Sequence, residues 1–382
     1  MATSNIVPCD ADIECLSSRK DSKLRGTICM SGRMPRPQCV PLPRLSNPSS
    51  SLGLLGRLPL ELMLETLRYL DFQSITRFAE VSVLANGYVR SCREYRDVLT
   101  LVPETVQALR RLGVLSLHSV AAIYHALRAD ACATCGEAGA FLFLPTCQRC
   151  CIWCRRYYPS LRLMTRAQAK KYYGLTKQQT DQLRTVHVRN AMVYRPNDMH
   201  YPAIHGRSVA AQAARDLSLA VHGSEEAVHK AVLAGCASSE ARDAGCYWTR
   251  AHLLRPRDDW YVESLGSAPT PSGLLNREQA DHATMAAMHF PTLTDNDGTL
   301  EYALWCRGCE KTKVRLWIGR MLDHGAQERL RALLPPEYRT AEYHPNRVGL
   351  GLSDRAWWKE SFLQHARHCP GAQALLREKY AQ

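Results

Sequence analysis

The sequence has little that would take it into or across a membrane. It contains no apolar run approaching the 18 or so residues that a transmembrane helix requires. Its first residues, MATSNIVPCDADIEC, have neither the basic start nor the apolar stretch of a secretory signal. We therefore expect a protein of the cytoplasm, the nucleus or both. In those reducing compartments the 16 cysteines are expected to bind metal or stay free, not to form disulfides.

Motifs of the common catalytic sites are also missing. There is no glycine-rich phosphate loop, no HExxH and no GxSxG in the sequence. The composition, 46% apolar and 22% charged over 382 residues, is that of a globular protein with room for two or three domains. These observations predict a binding protein and not an enzyme.

The stretch from Leu58 to Val89 is strongly apolar and is predicted to form three short helices. Pro59 stands where a helix start tolerates a missing N–H, and apolar residues then cover most of the circumference of the first helix. Asp71 is a predicted cap of the second helix, and the third is predicted to break at Asn86-Gly87. A unit this small cannot bury both sides of its first helix, so we expect one side to contact another protein.

This stretch resembles the F-box family, in the Leu-Pro that opens the first helix and in the apolar positions that follow. F-boxes are docking helices, and the resemblance implies that this face inserts into the Skp-type adaptor of a cullin–RING ubiquitin ligase. The alternative is a leucine-rich hairpin inside an ordinary domain. The adaptor contacts that the resemblance implies are Leu58, Pro59, Leu62, Leu67, Leu70, Ile75 and Phe78.

A first cysteine cluster follows, with the sequence CATCGEAGAFLFLPTCQRCCIWC from Cys132 to Cys154. Two CxxC steps about fifteen residues apart allow four thiolates on two tight turns to converge on a structural zinc ion. Six cysteines compete for the four positions. The spacing favours Cys132, Cys135, Cys151 and Cys154, and Cys147 with Cys150 is the alternative second pair.

The F-box pattern followed by CxxCG…FLxLPTCxRCCxxC is similar to a group of fungal F-box proteins. This compound resemblance extends from about Leu58 to Leu175. It strengthens the F-box interpretation, because the two patterns occur in the same order and close together.

A second zinc site is predicted near the C-terminus. Residues 288–305 are predicted to form a β-hairpin with a glycine turn at residues 294–298, and a CxxC step follows directly. A His-x3-Cys step at the end of a predicted helix over residues 354–366 supplies two more ligands, which their four-residue spacing places on one helix face. The predicted ligands are Cys306, Cys309, His365 and Cys369, with His368 as a substitute for the histidine.

The segment from Arg149 to Arg195 is strongly basic. It contains eleven Lys or Arg residues, one acidic residue and several interleaved tyrosines. Such a segment is typical of a solvated helix surface, but it also suits an acidic protein or nucleic acid. A zinc-dependent nucleic-acid-binding protein is therefore the alternative to the F-box adaptor.

These features predict a predominantly α protein with small β-hairpins (α+β class), in which a three-helix F-box precedes two zinc-stapled modules. The predicted function is recruitment of an unidentified protein target to a ubiquitin ligase, with two structural zinc ions as cofactors. The predicted divisions are a disordered tail (1–53), the F-box (54–100), a helical region with the first zinc module (101–234), a connector or insertion (235–283) and a C-terminal hairpin-helix module (284–382).

Overall fold

The computed structural model of the chain describes residues 5–18, 52–187, 207–235, 286–294, 298–322, 334 and 345–381. This part is mostly helical with small antiparallel sheets, which confirms the predicted fold class. Within it, no helix combines the length and the apolar character needed to cross a membrane. Apart from Gly235, the predicted connector lies outside the described residues.

Residues 60–128 are almost entirely helical, and the short strands of the described chain lie before and after this region. The α-helices are α1 (Ile13–Leu16), α2 (Leu60–Tyr69), α3 (Phe72–Ala79), α4 (Val83–Ser91), α5 (Arg93–Leu101), α6 (Pro103–Leu112), α7 (Val120–Arg128), α8 (Ile152–Tyr157), α9 (Arg166–Tyr173), α10 (Lys177–Gln182), α11 (Ala211–His222), α12 (Glu225–Gly235), α13 (Arg307–Leu322), α14 (Pro345–Asp354), α15 (Lys359–His368) and α16 (Pro370–Tyr380). The strands are β1 (Ser17–Ser18), β2 (Phe141–Phe143), β3 (Gln148–Cys150), β4 (Leu163–Met164), β5 (Val186–His187), β6 (Arg207–Ala210), β7 (Ala287–His289), β8 (Thr292–Leu293), β9 (Leu300–Glu301), β10 (Leu304–Cys306) and β11 (Ala356–Trp357).

Helix α4 runs through Asn86-Gly87, so the break predicted there is wrong. The Ser82 side chain caps the helix by accepting a hydrogen bond from the N–H of Ala85. Ala85 and Val89 are fully buried on the inner face of the helix. Glycine costs a helix about 1 kcal/mol relative to alanine, and the burial of this face offsets that cost.

Helices α2 to α7 share one apolar core with the elements that follow them. Phe72 stacks on Tyr95 with ring centroids 5.0 Å apart. The N–H of Phe72 donates to the C=O of His118, and the N–H of Val120 donates to the C=O of Leu70, each at 3.1 Å. The first three helices are therefore fixed to α7 and do not form an isolated unit.

Replacement of Asp71, the cap of α3, is expected to destabilise this helical region. Its carboxylate accepts from the N–H groups of Gln73 and Ser74, at 3.0 and 2.9 Å, and from the Ser74 hydroxyl at 2.6 Å. Asp71→Ala should therefore lower the free energy of unfolding by about 1 kcal/mol, measured by chemical denaturation at neutral pH.

The same carboxylate gives the cap a defined pH dependence. Burial acts to raise the pKa of Asp71, but the hydrogen bonds from Ser74 and Gln73 outweigh it and lower that pKa. A lowered folded-state pKa means that the stabilisation is complete above the unfolded pKa of about 3.9 and is lost as the pH falls below it. A pH titration of stability should show this acid-side loss in the native chain, and an equal loss in Asp71→Ala would contradict it.

Strand β2 lies between β3 and β7, with Phe141 opposite Cys150 on one side and His289 on the other. The hairpin predicted over residues 288–305 is thus only partly correct. Its tip exists as β8 and β9, which turn at Gly298 with φ +66°, but β7 and β10 each pair with other strands. Strand β2 is fully buried, so both of its edges need hydrogen-bond partners, and β7 supplies one of them.

The described residues between 163 and 235 pack around the sheet β4-β6-β5 and form a small apolar cluster, while Leu163 and Val186 of the same sheet join the main core. Thr165 and Thr176 form capping boxes with Gln168 and Gln179, and Gly174 ends α9 in the left-handed conformation. Helix α11 begins at Ala211, and the residues just before it form β6, which pairs with β4 on one side and β5 on the other.

The C-terminal region packs α13 against α14 and α16 beside the sheet β1-β10-β11. The helix predicted over residues 354–366 is divided differently in the structure. Asp354 ends α14, residues 356 and 357 form β11, and α15 begins at Lys359. The reason is tertiary: Ala356 pairs with Trp305 of β10, which holds the backbone extended there.

Residues 5–18, which lie in the segment predicted to be disordered, are ordered. Strand β1 pairs with β10 in register Ser17 to Cys306, and Leu16 is fully buried in the C-terminal core. Sequence periodicity missed this segment because its contacts are with residues about 290 to 370 positions away. The rest of the predicted tail up to residue 51 lies outside the described residues.

Candidate functional site

The first cysteine group combines a loop with the start of a helix. Cys132 and Cys135 lie on a turn that Gly136 closes with φ +75°. Cys151 precedes α8, where its sulfur accepts a hydrogen bond from the N–H of Cys154 at 3.4 Å. The four sulfur atoms lie within 4.8 Å of one another. The structure therefore brings together the four cysteines that the spacing favoured.

Cys147 and Cys150, the alternative pair, are buried but are not members of this group. Burial raises the pKa of the Cys147 thiol to about 12 and raises that of Cys150 as well. Cys147 is also the non-glycine residue of the described chain with a positive φ, at 54°. It lies in the turn between β2 and β3, where the chain reverses direction.

The second group joins one strand end and two helices. Cys306 ends β10, Cys309 lies in the first turn of α13, His365 lies on α15 and Cys369 follows α15. Their ligand atoms also lie within 4.8 Å of one another. His365 is the member from its helix, since His368 is exposed and outside the group.

The distances within both groups match the edges of a zinc tetrahedron. Zn–S bonds of about 2.3 Å place the sulfur atoms about 3.8 Å apart in a regular tetrahedron. The Sγ atoms of Cys135 and Cys151 are 3.7 Å apart, and those of Cys306 and Cys369 are 3.8 Å apart. The Sγ atom of Cys309 is 3.3 Å from Nε2 of His365. Four sulfurs, or three sulfurs and one imidazole, are donor sets that suit zinc and leave no ligand position open.

Electrostatics within each group also suit a cation. Hydrogen bonds from Cys135, Cys151 and Cys154 lower the pKa of Cys132. Hydrogen bonding to Cys132 and its neighbours raises the pKa of Cys154 instead. In the second group the pKa of Cys369 is lowered by hydrogen bonds from Cys306 and Cys309 and the pKa of Cys309 is raised. The pKa of one thiol in each group, Cys132 or Cys369, is thus lowered, and a cation between the sulfur atoms would lower the pKa values of their neighbours.

The ring of His365 is held in place by a second contact. It stacks on Trp357 with centroids 4.4 Å apart and an interplanar angle of 17°. Because Trp357 lies in β11, the same strand that pairs with β10, the sheet orients both the histidine and Cys306. The second group therefore depends on the fold of the whole C-terminal module.

An exposed apolar surface lies on α2, on the segment before it and at the start of α4, two helices that pack against each other. The side chains of Leu54 and Leu62 are 77% and 55% exposed. We call this set the exposed leucine surface; its members are Leu54, Leu55, Leu58, Leu60, Leu62, Val81, Val83 and Leu84. Isolated exposed leucines are ordinary, whereas several exposed apolar residues on neighbouring elements are typical of an interaction surface.

The seven residues expected to contact an adaptor divide into three groups. Leu58, Pro59 and Leu62 are exposed, and Leu70 and Phe78 are half-buried. Leu67 and Ile75 are at most 1% exposed and pack in the core of the chain. One apolar pattern on a helix does not separate the inward face from the outward face when both are apolar.

Leu54, Leu55 and Leu84 were missed as surface residues. The first two belong to a 3-10 helix that precedes α2, outside any helical period. One feature of the sequence indicates their exposure: they are adjacent apolar residues in a segment too short to form a core of its own. Leu84 was missed because its helix was expected to break.

The basic segment contributes less surface than its composition suggests. Arg149, Arg155 and Arg162 are at most 4% exposed, so they are not available to a nucleic acid. The exposed basic residues among those described are Lys170, Lys171, Lys177 and Arg184. The basic surface is thus smaller than the sequence suggested, because the sequence does not show which arginines are buried in the core.

Arg149 is a structural cation, and its loss should destabilise the fold. Its Nε and Nη1 donate to the C=O groups of Ala126 at 2.6 Å and Gly139 at 2.7 Å, and Nη2 donates to that of Pro291. Burial lowers the pKa of Arg149 to about 10, which still leaves it protonated at neutral pH. Arg149→Met leaves these carbonyls without a donor and should cost about 3 kcal/mol of unfolding free energy.

Lys170→Met is the matched control for that prediction. Lys170 is exposed on α9, so its replacement should change the free energy of unfolding by no more than about 0.5 kcal/mol. Denaturant titrations of both variants measure the difference. Equal stabilities would show that Arg149 is not part of the core.

Comparison with known families gives one match. Residues 55–97 match the F-box domain model, and they cover the exposed leucine surface from Leu55 onward, α2 to α4 and the first part of α5. Neither the curated proteins nor the solved structures provide a match to the chain. The chain therefore carries an F-box domain, and cysteine groups able to hold metal follow it.

Proposed function

We propose that this F-box-containing chain is the target-recruiting subunit of a cullin–RING ubiquitin ligase. F-box domains generally bind Skp-type adaptors in such ligases, and proteins that carry them are typically non-catalytic. The observation that supports the proposal most directly is the exposed leucine surface, which lies within or beside the matched residues. This surface supplies the apolar face that an adaptor would bury.

Burial of this surface would favour a complex. Its residues are between 37% and 77% exposed, so each has substantial apolar area left to remove from water. Complete burial of a fully exposed apolar side chain contributes about 1.5–3 kcal/mol, and a half-exposed one contributes about half of that. Together the eight residues would supply a large share of the free energy that offsets the cost of association.

The two cysteine groups are proposed to hold one structural zinc ion each. Cys132, Cys135, Cys151 and Cys154 would hold the first, and Cys306, Cys309, His365 and Cys369 the second. Zinc would supply folding energy there and no reaction chemistry, since the protein donors fill a tetrahedron. These modules would fix the C-terminal region as a surface for a protein target.

The direct test is reconstitution with a purified Skp-type adaptor. The full-length chain and the adaptor should elute as a single complex from a size-exclusion column and bind with a measurable dissociation constant. Separate elution at micromolar concentrations would overturn the proposal. In cells, we expect the complex in the cytoplasm, the nucleus or both, where cullin–RING ligases act.

A further inference from the structure

The N-terminal segment, residues 5–18, lies on the C-terminal module in the manner of a bound peptide. It contacts α13 and α16 and adds β1 to the edge of β10. Its contacts are made by side chains and one strand edge of residues 305–380, far away in sequence. Hydrogen bonds to the backbone hold its first part, a buried ion pair holds its middle, and apolar packing with strand pairing holds its end.

The Gln373 side chain forms two hydrogen bonds with the backbone of Ile6. Its Nε2 donates to the C=O of Ile6, and its Oε1 accepts from the N–H of the same residue, both at 2.8 Å. Gln373 is 3% exposed and is held in turn by a hydrogen bond to the C=O of Ala366 at 3.1 Å. A buried amide that binds both backbone groups of one residue fixes the register of an extended peptide.

Asp12 is the charged anchor of the segment. Its carboxylate accepts from Nζ of Lys379 at 2.6 Å and from the hydroxyl of Tyr380 at 2.8 Å, and it is fully buried. The Nζ of Lys379 also donates to the C=O of Ala11 at 3.1 Å. Burial acts to raise the pKa of Asp12, but the hydrogen bonds from Lys379, Cys9 and Tyr380 outweigh it and lower that pKa.

Leu16 and the strand that follows complete the contact. Leu16 is 0% exposed in an apolar cluster that includes Phe362 and the cysteines of the second group. Ser17 and Ser18 then pair antiparallel with Cys306 and Trp305, and the Ser18 hydroxyl donates to Glu310 at 3.1 Å. Addition of a strand to a sheet edge, with one side chain in an apolar pocket, is a common mode of peptide recognition.

Buried and exposed positions alternate along the segment as in a short linear motif. Val7, Cys9 and Glu14 face solvent, whereas Asp12 and Leu16 face the module. The recognised pattern is Ile-x5-Asp-x3-Leu-x-Ser from Ile6 to Ser18. An exposed residue within this pattern, Glu14, provides a control position.

The segment is joined to the F-box domain by residues 19–51. A ligand in the same chain as its site binds intramolecularly, so it competes with ligands from outside. A peptide on another protein would have to displace it. The connection therefore makes the segment a tethered competitor for its own site.

We propose that this face of the C-terminal module is a binding site for linear peptides that carry the acidic and leucine anchors in this spacing, and that the N-terminal segment is its tethered occupant. The ligand class is a short target peptide with a buried Asp and a buried Leu four residues later. Its role in target recruitment rests on the proposed function, whereas the peptide binding itself does not.

The test uses the full chain with a specific protease site inserted between residues 19 and 51. After cleavage, a fluorescent peptide of residues 5–18 should displace the cleaved N-terminal fragment, as seen by anisotropy and by mass spectrometry of the complex. The uncleaved chain should bind the same peptide at least about tenfold more weakly, because the tether competes. A fragment that stays bound through overnight incubation with excess peptide would overturn the proposal, since the segment would then be a permanent part of the core.

Peptide variants test the recognised pattern. Peptides with Asp12→Ala or Leu16→Ala should bind at least about tenfold more weakly, and one with Glu14→Gln should bind as the native peptide does. Equal binding of all four peptides would contradict the assignment. Adaptor binding, measured in the same samples, should be unaffected by cleavage, so a failure of this inference is distinguishable from a failure of the proposed function.

Discussion

Leu62→Arg is expected to abolish co-purification of a Skp-type adaptor while the chain itself stays folded. Leu62 is 55% exposed on the exposed leucine surface, so an arginine there can extend into water in the free protein. In the complex the same arginine would place a charge in an apolar interface without a partner. An unpaired buried charge costs about 2 kcal/mol or more, so we expect the affinity to fall at least about 30-fold.

Two control variants separate docking from folding. Val221→Arg introduces the same charge at a 41% exposed apolar residue of α11, outside the F-box domain, and should leave adaptor binding unchanged. Leu67→Ala removes a buried residue next to the same surface and should lower the free energy of unfolding by about 2–5 kcal/mol. Size-exclusion binding and chemical denaturation measure both properties. Unimpaired adaptor binding by Leu62→Arg would show that the exposed leucine surface is not the docking face.

Replacement of single cysteines in either group is expected to remove zinc and unfold the module around it. Purified native chain should contain two zinc ions, and Cys154→Ser and Cys306→Ser should each contain about one. Structural zinc sites contribute about 10–16 kcal/mol of apparent binding energy, which is also folding energy. The free energy lost with either site is therefore as large as the whole free energy of unfolding of a typical domain. The thermal transition of that module should disappear.

Cys147→Ala is the matched control for the first group. Cys147 is buried in the same module and belongs to a CxxC step, but it lies outside the four clustered sulfurs. The variant should retain both zinc ions in metal analysis by mass spectrometry. Loss of zinc from Cys147→Ala with retention by Cys154→Ser would assign the site to the other pair of cysteines.

Some features of this protein follow from local chemistry, and the sequence predicts these well. The caps at Asp71, Thr165 and Thr176 are set by side chains two or three residues from the groups they bind. The choice of Cys151 and Cys154 over the other pair follows from the length of chain needed to bring two turns together. In both cases the partners are close in sequence, so spacing contains the necessary information.

Other features depend on partners that are distant in the chain. Strand β7 leaves its predicted hairpin because β2, about 145 residues earlier, has an open edge in the core. Residues 5–18 become ordered only because β10 and α16 offer an edge and a buried amide. The guanidinium of Arg149 turns inward because carbonyls from three separate segments converge on it.

The sequence by itself determined that this chain has an apolar helical domain of the F-box type and two sets of cysteines at metal-binding spacing. Only the tertiary structure decided which leucines face outward, which arginines are buried and where the N-terminal segment lies. The physical reason is that periodicity and spacing describe one element at a time. Which groups become buried, and which hydrogen-bond partners they find, depends on contacts between elements that are distant in the sequence.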